Sequence, residues 1–254
     1  MIRVILSDLD KIEEGRIVIR ETKALRHLRV LRARQGEACE VLNTQGKTWS
    51  CYIEKIDDKN AVLLINSVLE QQRKAPEIVI CASLVPSKKF DVIVEKTAEF
   101  GIDGILPLVA DRSIVRAVDE KRYRRWDKIC KETLKQCGAP FLPRIYPAKS
   151  VSDAVDFLID NGFDIYVFAL KFKNKMHVID ALKASKPSEK MAFFVGPEGD
   201  FTDSEIDYML RFNAQAASLG DNVLRVETAC AYVCGIGAYI KEAKSGKFNH
   251  THSE

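Results

Sequence analysis

Apolar and polar positions change rhythm once along this chain. Up to about residue 70 the apolar residues fall in short runs at 16–20, 38–42, 48–56 and 61–68. Turn formers separate them, notably Asn43-Thr44-Gln45-Gly46 and Asp57-Asp58-Lys59-Asn60. That spacing predicts a small β-barrel. A polar stretch ending in proline, residues 71–76, then reads as a linker. Beyond it, continuous apolar runs at 78–85, 104–109, 163–170, 191–195 and 214–219 alternate with stretches of helical period. These helices are expected at about 91–100, 119–136, 151–161, 203–212 and 226–243. Continuous apolar strands alternating with helices predict an α/β unit whose parallel sheet is covered on both faces. Two domains are therefore expected, 1–72 and 73–254. Local signals agree: Gly101 is placed to end the first of these helices, and Thr202-Asp203-Ser204-Glu205 is a capping box that opens the fourth.

Composition alters this picture little. The chain has 254 residues, enough for one large core or two modest ones, and its hydrophobic share of 46% is that of an ordinary globular protein. The N-terminal segment lacks an apolar stretch of signal-peptide length, and no run approaches membrane-spanning length. Seven cysteines are scattered without paired spacing, so they are expected to be reduced and mostly buried, in a cytoplasmic protein. Charge adds more. Residues 1–74 carry 14 Lys/Arg against 11 Asp/Glu and residues 86–150 carry 14 against 9, whereas residues 151–254 carry 11 against 15. The basic two-thirds suits a polyanion, and the acidic remainder a different ligand.

The chemistry concentrates near the C-terminal end. In MAFFVGPEGDFTDSEIDYML, residues 191–210, a strand runs through a glycine loop into a helix. That is the usual layout of a phosphate cradle, yet the loop carries Glu198 and Asp200, the first helical turn adds Asp203 and Glu205, and no lysine or arginine is present. Neither a P-loop nor a dinucleotide fingerprint can be read here. Four carboxylates suit a ligand without phosphate, one with hydroxyl and amino groups to donate and a positive charge, such as an adenosyl group on a sulfonium. Taken alone, GPEGD is equally readable as a tight turn. Downstream, SLGDNVLRVETACAYVCGIGAYI (218–240) supplies a second strand-end loop, and in a parallel sheet two such loops converge beyond the carboxyl ends of the strands. The helix that follows is apolar nearly all round, so it is expected in a core or between subunits. Cys230 and Cys234 share one face of it and read as packing rather than as metal ligands.

The GPEG loop, the LG–VLR–ETA run some twenty residues later and the segment KKFDVIVEKTAEFGIDGILPL together resemble the RsmE family. These are the 16S ribosomal RNA uridine-1498 N3-methyltransferases of the SPOUT superfamily. HLRVLRARQGEACEVLN (27–43) and RWDKICKETLKQCGAP (125–140) resemble the same family, so the likeness covers essentially the whole chain in order. It implies an N-terminal PUA-like β-barrel that holds RNA and a C-terminal SPOUT domain with a trefoil knot at an S-adenosylmethionine site. It also implies a homodimer that acts on 16S rRNA or the small ribosomal subunit, with no metal. At matching positions it implies cofactor binding by Leu170, Val195, Gly196, Glu198 and Gly199 from the first loop region. Ser218, Leu219, Gly220, Val223, Leu224, Arg225 and Thr228 serve from the second. The chain departs from the family pattern at Asn222 and near Ala139 and Pro140, where arginine is usual. These departures either weaken RNA contacts or move them onto Arg122, Arg124 and Arg125.

Methylation at N3 requires loss of a weakly acidic proton on the Watson–Crick edge, so the base must be unpaired or flipped. Arg225 is the candidate to stabilise negative charge on the uracil oxygens, against the alternative of a salt bridge to Asp221 or Glu227. Glu227 is the candidate proton acceptor, against the alternative of a dipole partner in the first helical turn. For RNA the candidates are Arg26, His27, Arg29, Arg32 and Arg34, then Arg122, Arg124 and Arg125, with Tyr123 or Trp126 available to stack a base, against the alternative of core packing for Trp126. Leu25, Leu28 and Leu31 alternate with the first group, so those cations also fit the wet side of a short helix. Two rivals share the cofactor loops: a SPOUT enzyme acting on another RNA atom, such as a ribose 2′-hydroxyl, and a non-catalytic RNA-binding module.

Overall fold

The computed structural model describes residues 1–172, 176–184 and 188–244; the tail histidines His250 and His252 lie outside them. The chain divides into two units, Met1–Arg73 with Lys131–Leu142, and Lys74–Cys130 with Pro143 onward.

The first unit contains β1 (Ile2–Ile5), β2 (Lys11–Glu13), β3 (Arg16–Ile19), α1 (Thr22–Val30), β4 (Ala38–Leu42), β5 (Lys47–Ile56) and β6 (Ala61–Glu70). They form one six-stranded sheet in the order β1-β4-β5-β6-β3-β2, antiparallel except where β1 runs parallel to β4. Period-2 alternation turns Ile17 and Ile19, Cys39 and Val41, Trp49, Cys51 and Ile53, and Ala61 and Leu63 to one buried face. Helix α1 closes that face with Ala24, Leu25 and Leu28, and Glu21 caps it by accepting a bond from the Ala24 N–H. Each such Leu or Ile contributes about 1.5–3 kcal/mol by leaving water. Leu31 differs from its expected place: it is the C-cap residue and lies 46% exposed. Gly46 is required where it stands, because its φ is +104° and a Cβ there would lie 2.4 Å from the Gln71 carbonyl oxygen.

The second unit runs β7 (Glu77–Ser83), α2 (Ser87–Glu99), β8 (Gly104–Val109), α3 (Glu120–Cys137, its last turns counted with the first unit), β9 (Arg144–Ile145), β10 (Lys149–Ser150) and α4 (Val151–Asp160). It continues with β11 (Asp164–Phe168), a single 3-10 turn (Leu170–Phe172), α5 (Val178–Ala184), β12 (Lys190–Val195), α6 (Asp203–Arg211), β13 (Gln215–Ala217) and α7 (Val226–Lys244). The sheet is parallel throughout, ordered β10-β8-β7-β12-β11-β13, with β9 beside β8. Helices α4 and α6 seal one face through Val155, Leu158, Ile206 and Met209. Helices α2 and α7 pack together on β7 and β8. At Gly237 a Cβ would stand 2.9 Å from Ile102 and 3.2 Å from Ile78, so α7 approaches β7 as closely as a glycine permits. A buried ion pair fixes the same contact: Lys241 Nζ lies 2.5 Å from Asp103 Oδ2, which also accepts the Ile78 N–H at 2.9 Å.

Six of the seven cysteines are buried, Cys137 being the exposed one, and none is in a disulfide. Burial pushes the Cys39 and Cys234 thiols up to about 12. Among the described residues no helix is long and apolar enough to cross a membrane.

Candidate functional site

Strands β11, β12 and β13 are neighbours, so the loops leaving their carboxyl ends gather at one place. They line an open cleft. Its floor is Phe168, Val195 and Ala217 at the strand ends, with Val226 and Ala229 from the start of α7. Its walls are Ala169 and Leu170, then Gly196, Pro197, Glu198 and Asp200, then the run from Ser218 to Leu224 without Asp221. Nine residues expected at a cofactor site line it: Leu170, Val195, Gly196, Glu198, Ser218, Leu219, Gly220, Val223 and Leu224. Gly199, Arg225 and Thr228 are outside the lining. A Cβ at Gly199 would meet the Arg112 side chain at 3.3 Å rather than enter the cleft. At Gly196, itself on the cleft wall, it would meet the ring of the buried Phe201 at 3.2 Å.

The acidic loop is not bare. Lys89 of α2 donates to Glu198 at 2.7 Å, Lys171 pairs with Asp203, and Arg112 donates to the Gly199 carbonyl at 2.7 Å. Hydrogen bonding to Lys89 holds the Glu198 carboxyl below its ordinary range and pushes the ammonium up; Lys171 lowers Asp203 in the same way. Glu205 completes the capping box with Thr202 and also accepts the Asp111 N–H at 2.8 Å. Asp200 is buried with a φ of 62°, a conformation uncommon for a residue with a side chain, and its Oδ1 accepts the Phe201 N–H at 2.9 Å. Two of the four carboxylates are thus paired with lysines, Asp200 and Glu205 accept backbone N–H groups, and Arg112 is held by a carbonyl. None of these three cations was visible as a neighbour in the sequence, since Lys89 is 109 residues from Glu198 and Arg112 is 87 from Gly199.

This lining suits S-adenosylmethionine. Apolar side chains and strand-end backbone groups can take a flat purine, the carboxylates can take hydroxyl, amino and sulfonium groups, and the lining contains no lysine or arginine for phosphate. Beside the cleft, Arg225 is exposed and makes no ion pair with Asp221 or Glu227 among the described residues. Glu227 follows Val226 in the first turn of α7, and its Oε2 is buried with no hydrogen-bond partner. A buried carboxylate oxygen left unpaired is costly in a resting structure and marks a place where a donor can arrive.

The basic residues proposed for RNA separate into two kinds. Arg26, Arg32 and Arg34 of the first unit are exposed and form no ion pair among the described residues, Arg29 reaches Asp58, and His27 is half-buried with its imidazole lowered chiefly by burial. On α3, Arg124 pairs with Glu120 and Arg125 with Asp91, while Arg122 donates to the Val85 carbonyl and lies over Trp126. Trp126 cannot stack a base: it is fully buried, 4.6 Å from the Phe90 ring. The Tyr123 hydroxyl is likewise engaged, accepting the Ala148 N–H. Cys230 and Cys234 are both buried against the core, and among the described residues no group of three or more His, Cys, Asp or Glu could hold a metal.

Comparison with known proteins is consistent with this geometry. The chain matches the model of an RNA methyltransferase domain over residues 72–237 and that of an RNA methyltransferase PUA domain over residues 19–66. Ribosomal RNA small subunit methyltransferase E of Bacillus subtilis is 28% identical over 225 residues, 85% of this chain and 87% of that protein. The protein of that name from Aquifex aeolicus is 24% identical, covering 87% of this chain and 94% of its own. Ribosomal RNA small subunit methyltransferase E from Neisseria gonorrhoeae, solved bound to S-adenosyl methionine, superposes with a TM-score of 0.80 at 25% identity, over 94% of this chain and 98% of that one. With its fold, its cleft and most of its length accounted for in this way, the chain belongs to the RNA methyltransferase family, as the GPEG and LG–VLR–ETA motifs imply.

Proposed function

We propose that this protein is an S-adenosylmethionine-dependent methyltransferase that methylates N3 of uridine 1498 in the 16S rRNA of the small ribosomal subunit. The observation that carries the reading is the cleft beyond β11, β12 and β13, acidic and apolar where a phosphate site would be basic, with Arg225 and the unpartnered Glu227 oxygen beside it. The names of the full-length relatives, and the S-adenosyl methionine bound to the Neisseria protein, support it.

Backbone groups at Gly196, Leu219 and Leu224 hold the adenine, and Glu198 and Asp200 accept from the polar groups around it. The bound cofactor supplies an electrophilic methyl group on a sulfonium. The chain supplies the rest. It admits a flipped uridine, Glu227 takes the N3 proton on the oxygen that otherwise has no partner, and Arg225 faces the charge left on the uracil oxygens. Positioning the nitrogen in line with the methyl group then carries much of the rate. Arg26, His27, Arg29, Arg32 and Arg34, with Arg122, Arg124 and Arg125, hold the RNA backbone.

The reading extends to a cytoplasmic homodimer without metal and to the trefoil threading that the resemblance implies. The dimer is supported by α7, which buries one side within its own chain yet leaves Tyr232 38% and Tyr239 60% exposed. Incubation of small subunits from a strain lacking the gene with labelled S-adenosylmethionine should yield 3-methyluridine at one position. A ribose 2′-O-methyl product, or no product with bound cofactor, overturns it. Light scattering should give about twice the 28.6 kDa chain mass.

A further inference from the structure

The catalytic candidates taken from the sequence both lie in the VLR–ETA run, yet the structure brings a third ionisable group to the same place from the other end of the unit. Lys89, in the first turn of α2, reaches the rim of the cleft and bonds Glu198, itself a lining residue. Both partners remain open to water, at 39% and 44% side-chain exposure. Glu227 and Arg225 are near enough to act on the Lys89 charge, the first raising its proton affinity and the second lowering it. Two cations and two carboxylates therefore share the rim.

We propose, resting on the methyltransferase reading above, that Lys89 is a catalytic residue of the acceptor site, its ammonium contacting the uracil ring and stabilising the uridine anion. Two arguments carry this. The first is charge balance. Before reaction, Lys89 and Arg225 offset Glu198 and Glu227. When the N3 proton passes to Glu227, that carboxyl becomes neutral and the uracil ring gains one negative charge. The count across the site is unchanged, and a cation previously facing a carboxylate now has an anionic ring to face. The N3 lone pair then forms the new N–C bond, and the sulfur leaving group keeps the pair of the broken S–C bond. The second is energetic. A tether this exposed is weakened by water and salt, so a flexible lysine can leave Glu198 for a developing charge at little cost. A lysine needed only to brace the loop would be better served by a buried pair, as Lys241 is with Asp103.

The test uses full-length protein, small subunits from a strain lacking the gene, and the variants Lys89→Met, Lys89→Arg and Glu198→Gln. Single-turnover rates are followed across pH, and S-adenosylhomocysteine affinity is measured by calorimetry. Lys89→Met should slow transfer by about 10- to 100-fold at neutral pH, with a rate that keeps climbing into alkali as N3 ionises unaided, and with cofactor affinity within about threefold of native. Lys89→Arg should recover most of the rate. Glu198→Gln, at a cleft-lining residue, should weaken cofactor binding but show no comparable climb of the rate into alkali. A native rate and profile in Lys89→Met overturns the assignment, and so does a loss of cofactor affinity that accounts for the whole defect and is matched by Glu198→Gln. If the native protein makes no 3-methyluridine, the functional reading falls and takes this one with it.

Discussion

Lys241→Met is the most exacting test of how α7, and with it the Arg225–Glu227 turn, is held in place. The substitution keeps the length of the aliphatic stem and deletes the charge that faces Asp103 at 2.5 Å, where the two side chains are 10% and 5% exposed. The Asp103 carboxylate keeps its other partners, the Ile78 N–H among them, but loses the Lys241 ammonium in a setting that water barely reaches. Breaking a buried pair from one side costs about 3–5 kcal/mol, because the penalty is the uncompensated charge rather than the lost bond. For a domain of this size about 1 kcal/mol moves the midpoint by 2–4 °C, so the main transition should fall by roughly 6–20 °C. Adding Asp103→Asn to Lys241→Met removes the stranded charge and should restore more than half of the loss. Differential scanning calorimetry, with and without S-adenosylhomocysteine, reads both effects. A single variant that melts within about 2 °C of native, or a double variant no better than the single, refutes the reasoning.

Arg225→Ala removes a side chain with no ion pair among the described residues, so thermal stability should move by less than about 0.5 kcal/mol while single-turnover methylation falls about 100-fold. Gly196→Val drives a side chain into the buried Phe201 ring, must displace the cleft wall at Gly196, and should abolish S-adenosylhomocysteine binding in calorimetry with the circular dichroism spectrum kept. Gly199→Ala meets only Arg112, and its affinity should stay within about fivefold of native. Replacing both Arg26 and Arg32 by alanine should flatten the salt dependence of RNA binding in filter assays by about 0.7–0.9 per charge, and leave cofactor affinity unchanged. Alkylation of the native protein should label Cys137 and spare the six buried thiols by mass spectrometry, since the thiolate is the nucleophile and burial disfavours it.

Much of this protein is written locally and can be read locally. The buried strands of the second unit announce themselves because a strand covered on both faces is apolar at every position, as in IVICAS and MAFFV. The α6 start is legible because its capping box closes within four residues, and the bonds between Thr202 and Glu205 are those its spacing implies. GPEG and LG–VLR–ETA mark the cleft because loops after adjacent parallel strands must meet. What escapes the sequence depends on partners distant along the chain. β1 is held by β4, and all three residues of β2 are exposed, so neither has the alternation that identifies a strand. Helix α2 begins at Ser87, earlier than its apolar period, because Pro86 turns the chain without a side-chain cap. The choice between base stacking and core packing for Trp126 also waits on the fold, where α3 turns it onto Phe90. The acidic loop carries no cation of its own, and Lys89, Lys171 and Arg112 reach it from separate elements. Sequence determines which segments prefer strand, helix or turn, since those preferences are settled over a few residues. Which charges meet, which aromatic ring is buried and which carboxylate oxygen is left without a partner are decided by packing across the whole unit, because Coulomb attraction and burial depend on distance in space.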